Sequence, residues 1–469
     1  MEDRAPCAVM IWMAGGARAG IRFCRDVSPL LPKEKAMMVS YVSAKLGGVT
    51  AKLGGVPGGL CLLCFTAMPV AGQQAYTVTD LGTLGGLTSD AKGINDRSQV
   101  VGWAENLVRD ARAYRRAEGD RKEDLGTLPG GYRSLGWGIN ELGYVVGGAD
   151  TPESYNHAFL WIDGVMKDLG TLGGSQSVAV SVNNSAWVVG RSYNADEKSR
   201  VFLWRDGAME DLGTLGGCCS HPGSINEAGQ VVGYSAFNER RDWHAFLWQD
   251  GQMSDLGTLG GVESGAYDIN NREQIVGWSE VEGGETHAFV WENGQMRDLG
   301  AIDGYSSARA INESGVIVGS AKVSGDEYHA ARWDGEDITD LNDFLHPCTP
   351  LDVLLFANDV NEAGQIVGLA GMRRYGVEFD RGFLLTPLSC DDVDRLKVRC
   401  NPKKRQIIAV LKGQLPPGTL INLTNDGFDC RSLVIGPGGK GKVRWKEQSE
   451  SARICVAECP DRCRTVECD

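Results

Sequence analysis

Three features of this sequence predict an all-β chain made of seven tandem four-stranded units. They are a repeat of 42–44 residues, turn signals at fixed places inside each repeat, and complementary fragments at its two ends. The repeat is plainest in HAFLWIDGVMKDLGTLGG from His157, HAFLWQDGQMSDLGTLGG from His244 and HAFVWENGQMRDLGAIDG from His287. Three landmarks recur seven times each. The Asp of Asp-Leu-Gly or Asp-Leu-Asn falls at 80, 124, 168, 211, 255, 298 and 340. An Ile/Val-Asn pair ends at Asn95, Asn140, Asn183, Asn226, Asn270, Asn312 and Asn361. The apolar pair that follows ends at Gly102, Gly147, Gly190, Gly233, Gly277, Gly319 and Gly368. A His-Ala-Phe slot also recurs, beginning at Arg112, His157, Arg200, His244, His287, His329 and Arg381.

Each unit reads as four short strands in order. The first is Ser-x-Ala-x-x-Ile-Asn, as in SGAYDIN (264–270), with Ser at 89, 134, 177, 220, 264 and 307. QIVGWS (274–279) is a second strand and HAFVW (287–291) a third, whose alternation puts His, Phe and Trp on one face. The fourth ends at Asp-Leu-Gly, with Met166, Met209, Met253, Met296 or Ile338 two residues before the Asp. Asp163-Gly164, Asp206-Gly207, Asp250-Gly251, Asn293-Gly294 and Asp334-Gly335 mark tight hairpins between strands three and four. Asn-x-x-Gly supplies the turn between strands one and two.

The ends complement one another. AYTVTDLG (75–82) is a lone fourth strand, and RGFLLTPL (381–388) is a third strand without a fourth. Pairing them completes a seventh unit and removes both free edges. The predicted fold is therefore a seven-bladed β-propeller of four-stranded blades over residues 73–388, closed by its N-terminal strand. A small Cys-rich, β-sandwich-like C-terminal domain follows over 389–469.

The repeat resembles the extracellular HAF-repeat family, named for the triplet at 157–159, 244–246 and 287–289. It degenerates to His-Ala-Ala at 329–331, Arg-Val-Phe at 200–202 and Arg-Ala-Tyr at 112–114. The resemblance covers about residues 76–388. It implies export and a repetitive β architecture, and it carries no reaction and no catalytic residue. The first unit departs from the pattern, with Lys122 in the apolar slot and Arg116 for the Trp, which puts its outer strands in question.

The 469 residues are 42% hydrophobic and 23% charged, as in a globular soluble protein. A net charge of −14 argues against a nucleic-acid-binding body. Residues 1–36 read as an over-extended, disordered start and 37–72 as a signal peptide. Its apolar run, GGLCLLCFTAMPV (58–70), is too short to span a bilayer and ends near Val70-Ala71-Gly72. The expected location is extracytoplasmic or secreted, with cell-surface association open and no membrane span after cleavage. Ten cysteines remain beyond residue 72, an even count that reads as disulfides in an exported chain. The candidates are Cys390, Cys400, Cys430, Cys455, Cys459, Cys463 and Cys468, of undetermined connectivity, with zinc as the alternative for the last four. Cys348, in the insert HPCTPLD (346–352), is a candidate tether for the seventh unit.

Residues present in every unit build units, because seven equivalent positions around a circle do not converge. The HAF histidines read as packing groups and the seven Asp as acceptors of backbone N–H at strand exits. No metal site and no cofactor are expected. Function falls where the copies differ. Short turns gather on one face and offer little to grip; the longer connections gather on the other. Among these, the loops between strands two and three carry Tyr155, Tyr193, Phe237, Trp243 and Tyr328 beside charged residues, a mixture that suits sugar rings or peptide segments. The irregular inserts CCSHP (218–222) and HPCTPLD add Cys218, Cys219, His221 and His346. For the cysteine pair, a plain bridge or buried thiols compete with a vicinal disulfide or a metal site with His221. No G-x-S-x-G elbow is present.

The expected protein is a secreted, non-enzymatic, monomeric binding or scaffold protein that takes a glycan or protein ligand on its long-loop face. The alternative is a polysaccharide lyase or glycoside hydrolase working in the axial depression. In the C-terminal domain Lys440, Lys442, Arg444 and Lys446 alternate with Gly441, Val443 and Trp445, giving one strand a basic face, either solvated or set against an anionic polymer.

Overall fold

The computed structural model describes residues 75–117, 122–153, 156–238, 242–335, 337–346, 348–374, 377–401, 406–415, 419–425, 429–446 and 452–466, and upstream 9–14, 17–22, 45–46 and 49–50. The chain divides into two compact units, Met1–Ala71 and Gly72–Asp469. In the first, Val9–Ala14 pairs with Ala17–Arg22 and Lys45–Leu46 with Val49–Thr50. The apolar run 58–70 and the expected cleavage site lie outside the described residues.

In the second unit the described residues form an all-β fold, with helix only in the single turns Leu341–Phe344 and Cys390–Asp392. Eight antiparallel four-stranded sheets are present, seven of them within residues 75–388. The fifth shows the plan: Gly260–Ile269, Ile275–Val281, Thr286–Glu292 and Gln295–Asp298 pair in chain order. The seventh joins Val353–Val360, Ile366–Arg374 and Val377–Leu388 to the distant strand Ala75–Asp80. There Val78 sits opposite Leu385 and Asp80 opposite Phe383, and Val78, Phe383 and Leu385 are buried in one cluster. The first sheet forms all four strands despite its divergent residues. Lys122 is accommodated because its ammonium lies 3.8 Å over the Tyr114 ring and donates to the Gly82 carbonyl at 2.7 Å.

The repeated text specifies contacts. The N–H of the residue after the slot's first position (Ala113, Ala158, Val201, Ala245, Ala288) donates to a serine hydroxyl that opens the next sheet, at 2.8–3.0 Å. That hydroxyl donates in turn to the glycine carbonyl of Asp-Leu-Gly. Gly382 of the seventh sheet makes the equivalent bond to Ser89 of the first, at 3.1 Å. In the sixth sheet the serine is Ser306 and not Ser307, because the connection entering that sheet is one residue shorter. The Asp carboxylate accepts the N–H two residues on, at 2.7–2.9 Å in all seven copies. His157, His244, His287 and His329 each hold their own unit's Asp through Nδ1.

Two glycine positions have different causes. At Asp163-Gly164, Asp206-Gly207, Asp250-Gly251 and Asn293-Gly294 both residues have positive φ, as the tight hairpin requires. At Gly147 the reason is space: a Cβ would lie 1.9 Å from the Leu135 carbonyl oxygen and 2.8 Å from the Phe159 ring.

The C-terminal module packs a three-stranded sheet and a four-stranded sheet around Leu396, Ile407, Leu411, Ile421, Leu423, Trp445 and Ile454. Cys390–Cys459 and Cys455–Cys463 are disulfides, and Cys400 is disulfide-bonded as well, which replaces the zinc alternative; Cys468 lies outside the described residues. Cys348 bonds to Cys430, so the insert before the seventh sheet is tied to this module.

Candidate functional site

Seven asparagines connect the first strands. The amide of Asn95 donates to the main-chain oxygen of Asn140, Asn140 to Asn183, Asn183 to Asn226 and Asn226 to Asn270. Asn270 continues to Asn312, Asn312 to Asn361, and Asn361 to Asn95, every bond measuring 2.9–3.3 Å. The residue after each asparagine makes a second circuit, in which the N–H groups of Asp96, Glu141, Asn184, Glu227, Asn271, Glu313 and Glu362 each reach the next side chain.

All seven first strands contribute to a central cavity of about 410 Å³. Each of those strands breaks register just before its Ile/Val-Asn pair. Such a bulge leaves one residue out of the ladder and re-aims its side chain. The residues released are Lys92, Trp137, Val180, Gly223-Ser224, Tyr267, Arg309 and Asn358, and all of them line the cavity. Contrary to expectation, the short-turn side therefore does offer something to grip.

Five of these side chains, Tyr267, Arg309, Asn358, Lys92 and Trp137, come from consecutive sheets around the cavity. Lys92 Nζ lies 2.6 Å from Asp90 Oδ2, and Asn358 Nδ2 donates to Asp90 Oδ1 at 3.2 Å. Arg309 Nη1 donates to Asn358 Oδ1 at 3.4 Å, while the buried Arg309 Nε has no hydrogen-bond partner among the described residues. Lys92 stands 5.0 Å from the Trp137 ring and Arg309 4.8 Å from the Phe356 ring. Across the cavity Val180 and Gly223 add no charge and little bulk.

Two carboxylates follow directly after bulges. Asp268 accepts the Ile311 N–H at 2.9 Å, and Asp359 accepts the Ile94 and Val360 N–H groups at 2.8 Å each. Each thus satisfies an N–H on the neighbouring sheet. Burial raises the pKa of both, and burial together with the Asp268 charge pushes Asp359 up to about 8. Asp359 is then predominantly a neutral acid at pH 7.

Toward the long-loop end, His221 stacks on Tyr234 with centroids 4.9 Å apart and meets Trp243 edge-on at 5.1 Å. Tyr234 also contacts Trp243 at 5.4 Å and Trp278 at 6.5 Å. Burial and the Arg191 charge lower His221 to about 4, so its ring is neutral at pH 7. Phe237 stacks on His244 at 4.8 Å and remains exposed. The structure thus brings Trp243 and His221 together and adds Tyr234 and Trp278, which loop-by-loop reading missed. Their signal was the residue after the conserved glycine of strand two, which is Trp103, Gly148, Arg191, Tyr234, Trp278, Ser320 and Leu369 in turn.

The other candidates sit apart from this group. Tyr193 lies under Arg191 at 5.7 Å, and Tyr328 meets Tyr305 at 5.2 Å beside a separate hollow of about 680 Å³. Tyr155 lies outside the described residues. Cys218 and Cys219 have their sulfurs 2.6 Å apart. No group of three His, Cys, Asp or Glu side chains is arranged to hold a metal among the described residues. His346 accepts the Cys348 N–H at 3.2 Å and lies 3.6 Å from the buried carboxylate of Glu458, which makes it part of the anchor to the C-terminal module.

No family model matches the chain, and no curated protein matches it in sequence. Solved β-propeller proteins are similar to it at low identity. TolB from Acinetobacter baumannii matches at 12% identity and a TM-score of 0.37, over 68% of this chain and 97% of its own. The Pyrococcus horikoshii acylaminoacyl peptidase matches at 11% and 0.42, over 73% and 60%. A gluconolactonase from Xanthomonas campestris, XC5397, matches at 11% and 0.32, over 67% and 90%. Within residues 75–388 the described chain is all-β, in seven antiparallel four-stranded sheets.

Proposed function

We propose that residues 75–388 are a seven-bladed propeller of the HAF-repeat type, closed by its own first strand, and that the protein is an exported glycan-binding protein. The cyclic asparagine circuit and the Val78–Leu385 pairing support closure. Export is supported by the disulfides Cys348–Cys430, Cys390–Cys459 and Cys455–Cys463, which persist in oxidising compartments.

The observation that carries the ligand reading is the convergence of His221, Tyr234, Trp243 and Trp278 at the long-loop end of the fourth and fifth sheets. Aromatic faces beside polar groups suit the apolar faces and hydroxyl edges of pyranose rings. A glycan array probed with the chain from residue 73 tests this. Binding to defined glycans that Trp243→Ala weakens at least tenfold is expected; an array without signal, or one indifferent to Trp243→Ala, would refute it.

A second reading has one specific observation in its favour. Asp359, held protonated in the cavity near Asp268, has the protonation state of a general acid in a glycan-cleaving enzyme. Binding is preferred because main-chain N–H groups engage both oxygens of Asp359 and Oδ2 of Asp268. Release of reducing ends or unsaturated products from a polysaccharide panel would favour the enzyme.

A further inference from the structure

The three-stranded sheet of the C-terminal module, Arg395–Asn401, Gln406–Lys412 and Lys440–Lys446, turns Leu396, Ile407, Ala409, Leu411 and Trp445 into the core. Its other face is set by register. Arg395 lies across from Lys412, which lies across from Lys440; Lys397, Val410 and Lys442 form the next row, and Arg399, Ile408 and Arg444 the third. A line of three exposed cations, Arg395, Lys397 and Arg399, and a line of four, Lys440, Lys442, Arg444 and Lys446, therefore border a trough floored by half-buried Val410 and Ile408, with exposed Lys412 at one end. The three strands contain no Asp or Glu, in a chain whose net charge is −14.

Like charges placed directly across a sheet destabilise it, and an ordinary solvated face mixes both signs. A face that keeps cations across from one another, at Arg395, Lys412 and Lys440, is one whose repulsion a polyanion would relieve. Cations two residues apart on a strand are spaced about 6.8 Å, and the two lines are about 9.6 Å apart. That grid matches an extended chain with a regularly repeated negative charge lying along the trough. Single-stranded nucleic acid is disfavoured, since it needs exposed aromatic platforms and the one aromatic on these strands, Trp445, is in the core. A lipid surface is disfavoured because, among the described residues of these three strands, no large apolar side chain is exposed.

We propose that this face binds a linear acidic polysaccharide of the uronate-polymer class, at a site separate from the aromatic cluster. The test uses the chain from residue 73 with immobilised alginate, with dextran as the neutral polymer and phosphatidylglycerol vesicles as the lipid. The variant Lys397→Gln/Lys442→Gln/Arg444→Gln is compared with Lys198→Gln/Arg272→Gln/Arg297→Gln, which removes the same charge from exposed positions elsewhere. The parent is expected to bind alginate and not dextran, more weakly as salt rises. The first variant should lose at least tenfold in affinity and about two to three in the slope of log affinity against log salt. The second should stay within twofold, both with an unchanged Tm. No retention on alginate, equal retention on dextran, equal effects of the two variants, or preferential partition onto the vesicles would each overturn the proposal.

Discussion

The side-chain amide of Asn361 donates to the main-chain oxygen of Asn95 across 3.1 Å and 266 positions of sequence. Six other bonds of the same type link asparagines only 42–49 positions apart. The long-range member makes the series of hydrogen bonds cyclic.

Asn183 illustrates the cost of losing a link. Its Oδ1 accepts the Ser185 and Trp187 N–H groups while its amide donates to Asn226, all from a buried position. Asn183→Ala is expected to lower stability by about 1–3 kcal/mol, read from urea unfolding of the chain from residue 73.

Gly277 should tolerate nothing larger. A Cβ there would lie 2.0 Å from the Gly265 carbonyl oxygen and 2.9 Å from the Ala266 Cα, both backbone atoms that cannot swing aside. Gly277→Ala is expected to cost about 1–3 kcal/mol or more. A Tm within one degree of the parent would contradict this packing.

Lys122 gives a pH signature. Burial holds its pKa down to about 7 from 10.5. The unfolded chain then binds more protons between pH 7 and 10.5, so this group makes stability rise with pH across that window. Lys122→Met should raise the Tm at pH 6, and its advantage should shrink as pH climbs toward 10.

Asp359 has the opposite sign. With its pKa raised from 3.8 to about 8, the folded chain binds more protons between those values. Its contribution is fully present below pH 3.8 and is lost as pH rises through 8. Asp359→Asn should flatten that decline in a series of thermal melts and leave glycan binding at the aromatic cluster unchanged.

What was legible follows from periodicity. Asp168 accepts the Gly170 N–H as its counterparts do, which the repeated text exposed, and the stray strand around Val78 advertised its partner. The His157–Asp168 pair was not legible there, because the slot histidines read as packing groups. Lys92, Trp137, Tyr267, Arg309 and Asn358 were not legible as a group. They come from five copies, and only a bulge the linear pattern does not mark turns them inward. The basic face was half visible. Alternation exposed Lys440, Lys442 and Arg444, but their alignment with Arg395, Lys397 and Arg399 depends on a strand order in which Gln406–Lys412 lies between them. Ser306 was displaced by one because a shortened connection shifted the apparent register.

The most direct measurement of ring closure is a cross-link across the seam. Thr77 and Thr386 face one another on the paired strands. In the chain from residue 73 carrying Thr77→Cys and Thr386→Cys, peptide mapping by mass spectrometry should find these two residues joined within a single chain after oxidation. Thiols that stay unpaired in the folded protein, or that join only between chains, would contradict closure.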